Sequence, residues 1–267
     1  MFKQRLLTAV VLLPGVIALV LYAPSMLLAL VFSAVVLLGA YEWALLAGYL
    51  QRGARLRYCG VTLLLCTLLY IAGWRGSWTL LLTAMMVVAL GWWLLVPGWL
   101  VWRITFPRSL KAVCGWLTLI PALFAVVALQ AFRPGVLLWL LALVWAADIG
   151  AYIAGHAFGR HKLAPLVSPG KTWEGVIGGT LALLVAAYAG MWLVLPQAGP
   201  RLILICMLTG WLSILGDLSE SLFKRQANRK DSGTLFPGHG GVLDRIDSLT
   251  AAAPVFWLGL SLMGWLR

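Results

Sequence analysis

Nine stretches of consecutive apolar residues dominate this chain, at roughly 6–23, 26–48, 58–74, 78–100, 112–130, 135–158, 175–195, 201–223 and 248–266. Most are near the ~20 residues that an α-helix needs to cross the hydrocarbon of a bilayer, and they lack the every-second-residue alternation of a barrel strand. Composition agrees: 63% of the 267 residues are hydrophobic and 10% are charged, against roughly 45–50% and 25% in a soluble domain. The expected fold is an all-α polytopic integral membrane protein, a bundle of about nine transmembrane helices. No repeat or separate soluble domain interrupts it. The first residues, Met1 to Arg5, precede an apolar run with no small-x-small cleavage site before a soluble domain, so this run is read as a retained first helix. Residues 1–134 form a scaffold and residues 135–267 a catalytic half within one continuous membrane domain.

Charge orients the bundle. Alternate loops, counted from the N-terminus, hold 16 of the 20 Lys and Arg residues, and positive loops face the cytoplasm. The net charge of +12 is therefore assigned to topology and anionic lipid rather than to nucleic acid. This places the N-terminus and the two polar loops of the second half on the cytoplasmic side. The cysteines, Cys59, Cys66, Cys114 and Cys206, form no CxxC pair and lie in apolar stretches, so they read as packing residues.

The eight acidic residues are distributed unevenly. Glu42 stands alone in the second span, and the other seven (Asp148, Glu174, Asp217, Glu220, Asp231, Asp244 and Asp247) fall in the second half. Carboxylates at membrane depth are costly and usually face a protein interior or a wet cavity. Lys162, Lys171, Lys224, Arg225, Lys230 and Arg245 share this region. Acid and base together point to a phosphate-bearing substrate bridged by a cation. Glu42 has two readings, a partner within the bundle or a wall of the active cavity.

In the eighth span Ser213, Asp217, Glu220, Ser221 and Lys224 recur at helical offsets and share a face. The plain alternative is an internal salt-bridge network of Asp217 or Glu220 with Lys224. The loop that follows, 226–247, contains Gly233, Gly238, Gly240 and Gly241, whose backbone N–H groups suit phosphate oxygens. Asp244 and Asp247 are three apart, and with Asp217 they could converge on Mg²⁺. Arg245 between them is a phosphate fork or a neutralising partner. His239 could donate to phosphate or orient an aspartate; no zinc spacing surrounds it. In the sixth span Asp148, Tyr152 and Gly155 share a face, and Gly155 and Gly159 have GxxxG spacing, which leaves a homodimer open. The segment Ser168-Pro169-Gly170-Lys171-Thr172-Trp173-Glu174-Gly175 is no P-loop, but Lys171 and Thr172 precede a helix and could bind phosphate there.

Residues 221–247 carry Ser221, Lys224-Arg225, Lys230-Asp231, Pro237, His239-Gly240-Gly241 and Asp244-Arg245-Ile246-Asp247. This pattern resembles, position for position, the signature of the phosphatidate cytidylyltransferases (CDP-diacylglycerol synthases). The segments at Asp148–Tyr152 and Ser168–Gly175 are also similar to that family, so the resemblance covers about residues 140–250. One departure is Gly170, where many relatives are expected to carry a second lysine; Lys171 is left alone.

The resemblance implies transfer of CMP from CTP to phosphatidic acid, giving CDP-diacylglycerol and pyrophosphate. It implies dependence on Mg²⁺, with a second cation left open, and a place in the bacterial inner membrane among membrane lipids. The expected catalytic set is Asp217, Asp244, Asp247, Lys224 and Arg225, the three aspartates holding metal. Ser168, Lys171, Thr172, Lys230, Arg245 and His239 are expected on substrate phosphates, with Asp148, Glu174, Glu220, Ser221 and Asp231 in support. Two other classes compete. A transporter would use the polar stripes as a pathway, but the halves are not repeated. A CDP-alcohol phosphatidyltransferase or CTP-dependent lipid kinase would differ in motif or in the product released.

Overall fold

The computed structural model describes residues 13–102, 104–233, 235 and 240–266. Among them the chain runs through α1 (Leu13–Tyr22), α2 (Ser25–Leu46), α3 (Arg52–Arg75), α4 (Trp78–Trp102), α5 (Arg108–Phe132) and α6 (Pro134–Phe158). A short hairpin, β1 (Lys162–Ala164) and β2 (Ser168–Thr172), leads to α7 (Trp173–Leu193), α8 (Arg201–Gln226) and α9 (Leu243–Leu262). The seven helices α2 to α8 are each long and apolar enough to cross a membrane. A 22-residue helix such as α2 is about 33 Å long, a match to the ~30 Å hydrocarbon core. The protein is an integral membrane protein of helical-bundle type.

Leu30, Leu64, Leu80, Val88, Leu94, Ile153, Val185 and Trp192 point outward and are exposed. In water such a surface would be anomalous; against lipid tails it is the expected outside of the bundle. The polar opening of α9, with Asp244, Arg245 and Asp247, is followed by a segment from Thr250 to Leu258 that is buried throughout. This helix occupies the centre, packed by α2, α4, α5, α6 and α8. Anything that moves the start of α9 therefore acts on the middle of the molecule.

Two details differ from the sequence reading. Arg52, Arg55 and Arg57, expected in a loop, lie on the first turns of α3. The segment between α6 and α7, expected as irregular loop, folds as an antiparallel hairpin with Lys162 opposite Thr172 and Ala164 opposite Ser168. The turn from β2 into α7 is immediate, and Thr172 caps the helix by accepting from the N–H of Gly175 at 3.1 Å. This is an ordinary threonine N-cap. The four cysteines are free thiols.

The glycines of α6 and α7 are spent inside the chain. A Cβ on Gly150 would lie 2.6 Å from the Ala182 methyl and 2.7 Å from the Gly178 carbonyl; one on Gly179 would lie 2.7 Å from the Ala147 carbonyl. Without a strong hydrophobic drive in lipid, helices associate through such close backbone approach. Gly155 packs against Thr172 and Gly175, so the GxxxG spacing serves α6 against α7 and gives no separate reason for a dimer. Gly150→Leu is expected to force these helices apart at a cost of about 1–3 kcal/mol or more. The check is thermal unfolding in detergent, where it should melt well below wild type while Gly170→Leu, at an open position, should not.

Candidate active site

The hairpin brings the sequence-predicted residues of α6, β2, α8 and α9 together. Its turn is held to the end of α8 by Arg225, whose Nε donates to the Val167 carbonyl at 3.1 Å and whose Nη1 donates to the Arg229 carbonyl at 3.5 Å. Thus fixed, β2 places Lys171 over α8. The Lys171 ammonium meets Asp217 Oδ2 at 2.7 Å and donates to the Ile214 carbonyl at 3.4 Å. Ser221 donates to the other Asp217 oxygen at 3.3 Å. Lys171 and Asp217 open onto a cavity of about 510 Å³ whose lining also includes Asp148, Tyr152, Ser168, Thr172, Asp244 and Asp247.

The close contact of α8 with α9 depends on Gly216. A Cβ there would lie 2.5 Å from the Asp247 carbonyl. The absence of a side chain lets Asp217, the next residue, share the cavity with Asp247.

A second layer adjoins the cavity and meets its wall at Asp244. Lys224 meets Asp244 Oδ1 at 2.6 Å and Glu220 Oε1 at 3.2 Å. The other Asp244 oxygen accepts from the Ser232 backbone at 2.9 Å, the Ser232 hydroxyl at 2.8 Å and the Gly241 N–H at 2.8 Å. Glu220 is 2% exposed. Both sequence readings of the α8 stripe therefore hold in part. Glu220 and Lys224 form an internal ion-pair network with Asp244, whereas Asp217 faces the cavity.

Glu42 joins this layer from α2. Its Oε1 accepts from the Val242 N–H at 3.0 Å; its Oε2 accepts from the Leu243 N–H at 2.8 Å and from the Ser232 hydroxyl at 2.9 Å. Of the loop glycines whose N–H groups suited phosphate, Gly241 instead donates to Asp244, and the next two N–H groups, of Val242 and Leu243, donate to Glu42. A lone carboxylate in an apolar span was the available signal, but nothing local named its partners some 200 residues away.

Other predicted residues lie elsewhere. Lys230 and Asp231 line a second cavity of about 670 Å³ with Tyr41, Glu42, Arg55 and Arg229. There the Arg55 guanidinium sits 3.6 Å from the centre of the Tyr41 ring. Glu174 is on the far side of the hairpin, where its carboxylate holds His161 Nδ1 at 2.6 Å. Arg245 is exposed on the first turn of α9. His239 lies outside the described residues.

Among the described residues no group of three or more His, Cys, Asp or Glu side chains is gathered as a ready cage for a metal ion. The cavity instead offers Asp148, Asp217 and Asp247 as separate oxygen donors. That fits Mg²⁺, which commonly takes one or two carboxylates and completes its shell with water and substrate phosphates. Asp244 fits less well, because its side chain is 9% exposed against 31% for Asp217 and its oxygens are taken up by Lys224, Ser232 and Gly241.

A polytopic helical bundle holding carboxylates and a lysine in one cavity has the build of a membrane enzyme acting on an anionic substrate. Residues 3–263 match the Cytidylyltransferase family, and the chain belongs to that family, whose chemistry is nucleotidyl transfer. It is 44% identical to a phosphatidate cytidylyltransferase of Pseudomonas aeruginosa, over 99% of both chains. It is 41% identical to a phosphatidate cytidylyltransferase of Haemophilus influenzae, over 96% of this chain and 97% of the other. A shorter alignment of 122 residues, 48% identical, links it to a phosphatidate cytidylyltransferase of Brucella suis, covering 46% of this chain and 45% of the other.

The layering separates two aspartates that the sequence treats alike. From the sequence, Asp217→Asn and Asp244→Asn should both abolish turnover in a folded protein. The side chain of Asp244 is 9% exposed and that of Asp217 31%. Breaking a buried pair by removing one partner typically costs about 3–5 kcal/mol. Asp244→Asn should therefore lower the melting temperature in detergent markedly, and Asp217→Asn should leave it near wild type.

Proposed function

We propose that this protein is a phosphatidate cytidylyltransferase, forming CDP-diacylglycerol and pyrophosphate from CTP and phosphatidic acid. The observation that carries the reading is the full-length 44% identity to a protein of that activity. The cavity chemistry supports it independently. A phosphatidate oxygen attacks the α-phosphorus of CTP while pyrophosphate leaves in line. Such transfers rely on positioning and charge neutralisation more than on covalent help, and a phosphate nucleophile that is already ionised needs no strong general base.

In this reading Lys171 neutralises a phosphate in the cavity and Ser168 stands beside it as a hydroxyl donor. Its pairing with Asp217 keeps the ammonium aimed inward before substrate arrives. Asp217 and Asp247 are the residues best placed to hold Mg²⁺, with Asp148 across the cavity. Bound there, Mg²⁺ would withdraw charge from the phosphate oxygens. Lys224, Arg225, Glu220 and Asp244 hold the frame rather than the substrate. Tyr152 lines the cavity and is 73% exposed on α6, next to the exposed Ile149 and Ile153. This rim favours lateral entry of a diacyl lipid, with CTP arriving from water.

The pattern of positive loops supports a cytoplasmic N-terminus and a cytoplasmic active site. The bacterial relatives support the inner membrane.

The deciding assay is pyrophosphate release by purified protein in detergent, omitting CTP, phosphatidate and Mg²⁺ one at a time. Release is expected only with all three present. Release of CDP instead would identify a lipid kinase, and no release from well-folded protein would refute the reading. Lys171→Met and Asp217→Asn should each lower kcat by roughly 10²–10³-fold, the scale of losing one electrostatic stabiliser.

A further inference from the structure

The start of α9 is capped by a residue 200 positions earlier in the chain. Its own N-cap position, Val242, has no side-chain acceptor, so the first N–H groups need partners from elsewhere. Glu42 supplies them, with one oxygen on Val242 and the other on Leu243. A negative charge at this end is also favoured by the helix dipole. The same carboxylate accepts from Ser232, whose hydroxyl also reaches Asp244. Glu42 is 6% exposed. Its fit explains two glycines: a Cβ on Gly233 or on Gly241 would collide with the Glu42 carboxylate.

We infer that Glu42 is a positioning residue for the cavity: its carboxylate ties the glycine loop to the first turn of α9 and so sets where Asp247 stands relative to Asp217. In the deduced chain of effects, α2 fixes Glu42, Glu42 fixes Val242 and Leu243, and these fix the turn that carries Asp244 and Asp247. The inference rests on the proposed reaction for its catalytic consequence, but the tie between α2 and the loop can be read without any turnover.

Glu42→Gln is the discriminating variant. Three donors converge on two carboxylate oxygens, and an amide presents a donor of its own to at least one of them. Two measurements are made on the purified, monodisperse protein. Limited trypsin digestion, followed by mass spectrometry, reads cleavage after Lys230, which is exposed beside the loop. Steady-state kinetics reads kcat and KM for CTP. In Glu42→Gln, cleavage should accelerate at least ~10-fold. Its kcat should fall ~10²-fold, the scale expected for a displacement of about 1 Å at a reacting centre, with KM for CTP changed much less.

Gln130→Leu is the control. Gln130 is buried and donates to the Ala23 carbonyl at 2.9 Å, away from the loop. It should lose thermal stability yet keep the wild-type cleavage rate and kcat. If Glu42→Gln behaves as Gln130→Leu does, Glu42 is only part of the bundle and the inference is overturned. Faster cleavage with unchanged kcat overturns it equally. Should Glu42→Gln fail to fold, Ser232→Ala removes one shared donor and is expected to move both readouts in the same direction, several-fold; no change in either would sink the idea. If the wild type itself releases no pyrophosphate, the proposed reaction fails, while unchanged trypsin cleavage in Glu42→Gln would separately remove the strut.

Discussion

A carboxylate inside a membrane protein has to be met by donors that the protein itself provides, since water is scarce and lipid offers none. In this bundle that requirement is discharged by a compact network: Glu42 and Asp244 share Ser232 and take up the backbone N–H groups of Gly241, Val242 and Leu243. Lys224 neutralises Asp244 and Glu220 from α8. Half-satisfied polar networks at low dielectric are costly, whereas satisfied ones impose a single geometry. The central helix α9 begins at this network, so the position of the cavity aspartates follows from it.

The arrangement divides labour among residues of the same type. Asp217 and Asp247 face the cavity, where a charge can be answered by substrate or cation. Asp244 reaches the cavity wall but its oxygens are taken up by Lys224, Ser232 and Gly241, and the buried Glu220 has the Lys224 ammonium at 3.2 Å but no hydrogen-bond donor among the described residues. Lys171 and Lys224 divide in parallel, one over the cavity and one behind it. Glycine is used at two of these boundaries for one reason, close approach: Gly216 lets α8 touch α9 beside Asp217, and Gly241 leaves room for the Glu42 carboxylate. The α6–α7 glycines do the same for the helices that carry Asp148 and the hairpin.

Much of the bundle was legible. Apolar runs of near-membrane length predicted the helices, and among the described residues the span ends agreed within about four residues except at the starts of α3 and α9, where a charged first turn reads as loop because charge there is compatible with either. The hairpin before α7 was not legible. Five residues containing Pro169 and Gly170 carry no strand signal, and the hairpin's β2 rests on α6, α7 and α8, contacts that local sequence does not report.

For the site, residue types and helical spacing were sufficient to single out Asp148, Lys171 and Asp217 as candidates, and these do share one cavity. Spacing reports which face of a helix a residue occupies but not what lies opposite. A membrane bundle with its acid–base chemistry in the second half was therefore readable from the chain alone, because hydrophobic length and the cost of buried charge act locally. The folded arrangement was needed to show that Asp244 is held by Lys224, Ser232 and Gly241, that Lys230 belongs to a different cavity, and that Glu42 caps α9. Each of those facts depends on donors and acceptors brought together from distant segments, and hydrogen bonds of that kind leave no periodic trace in the chain.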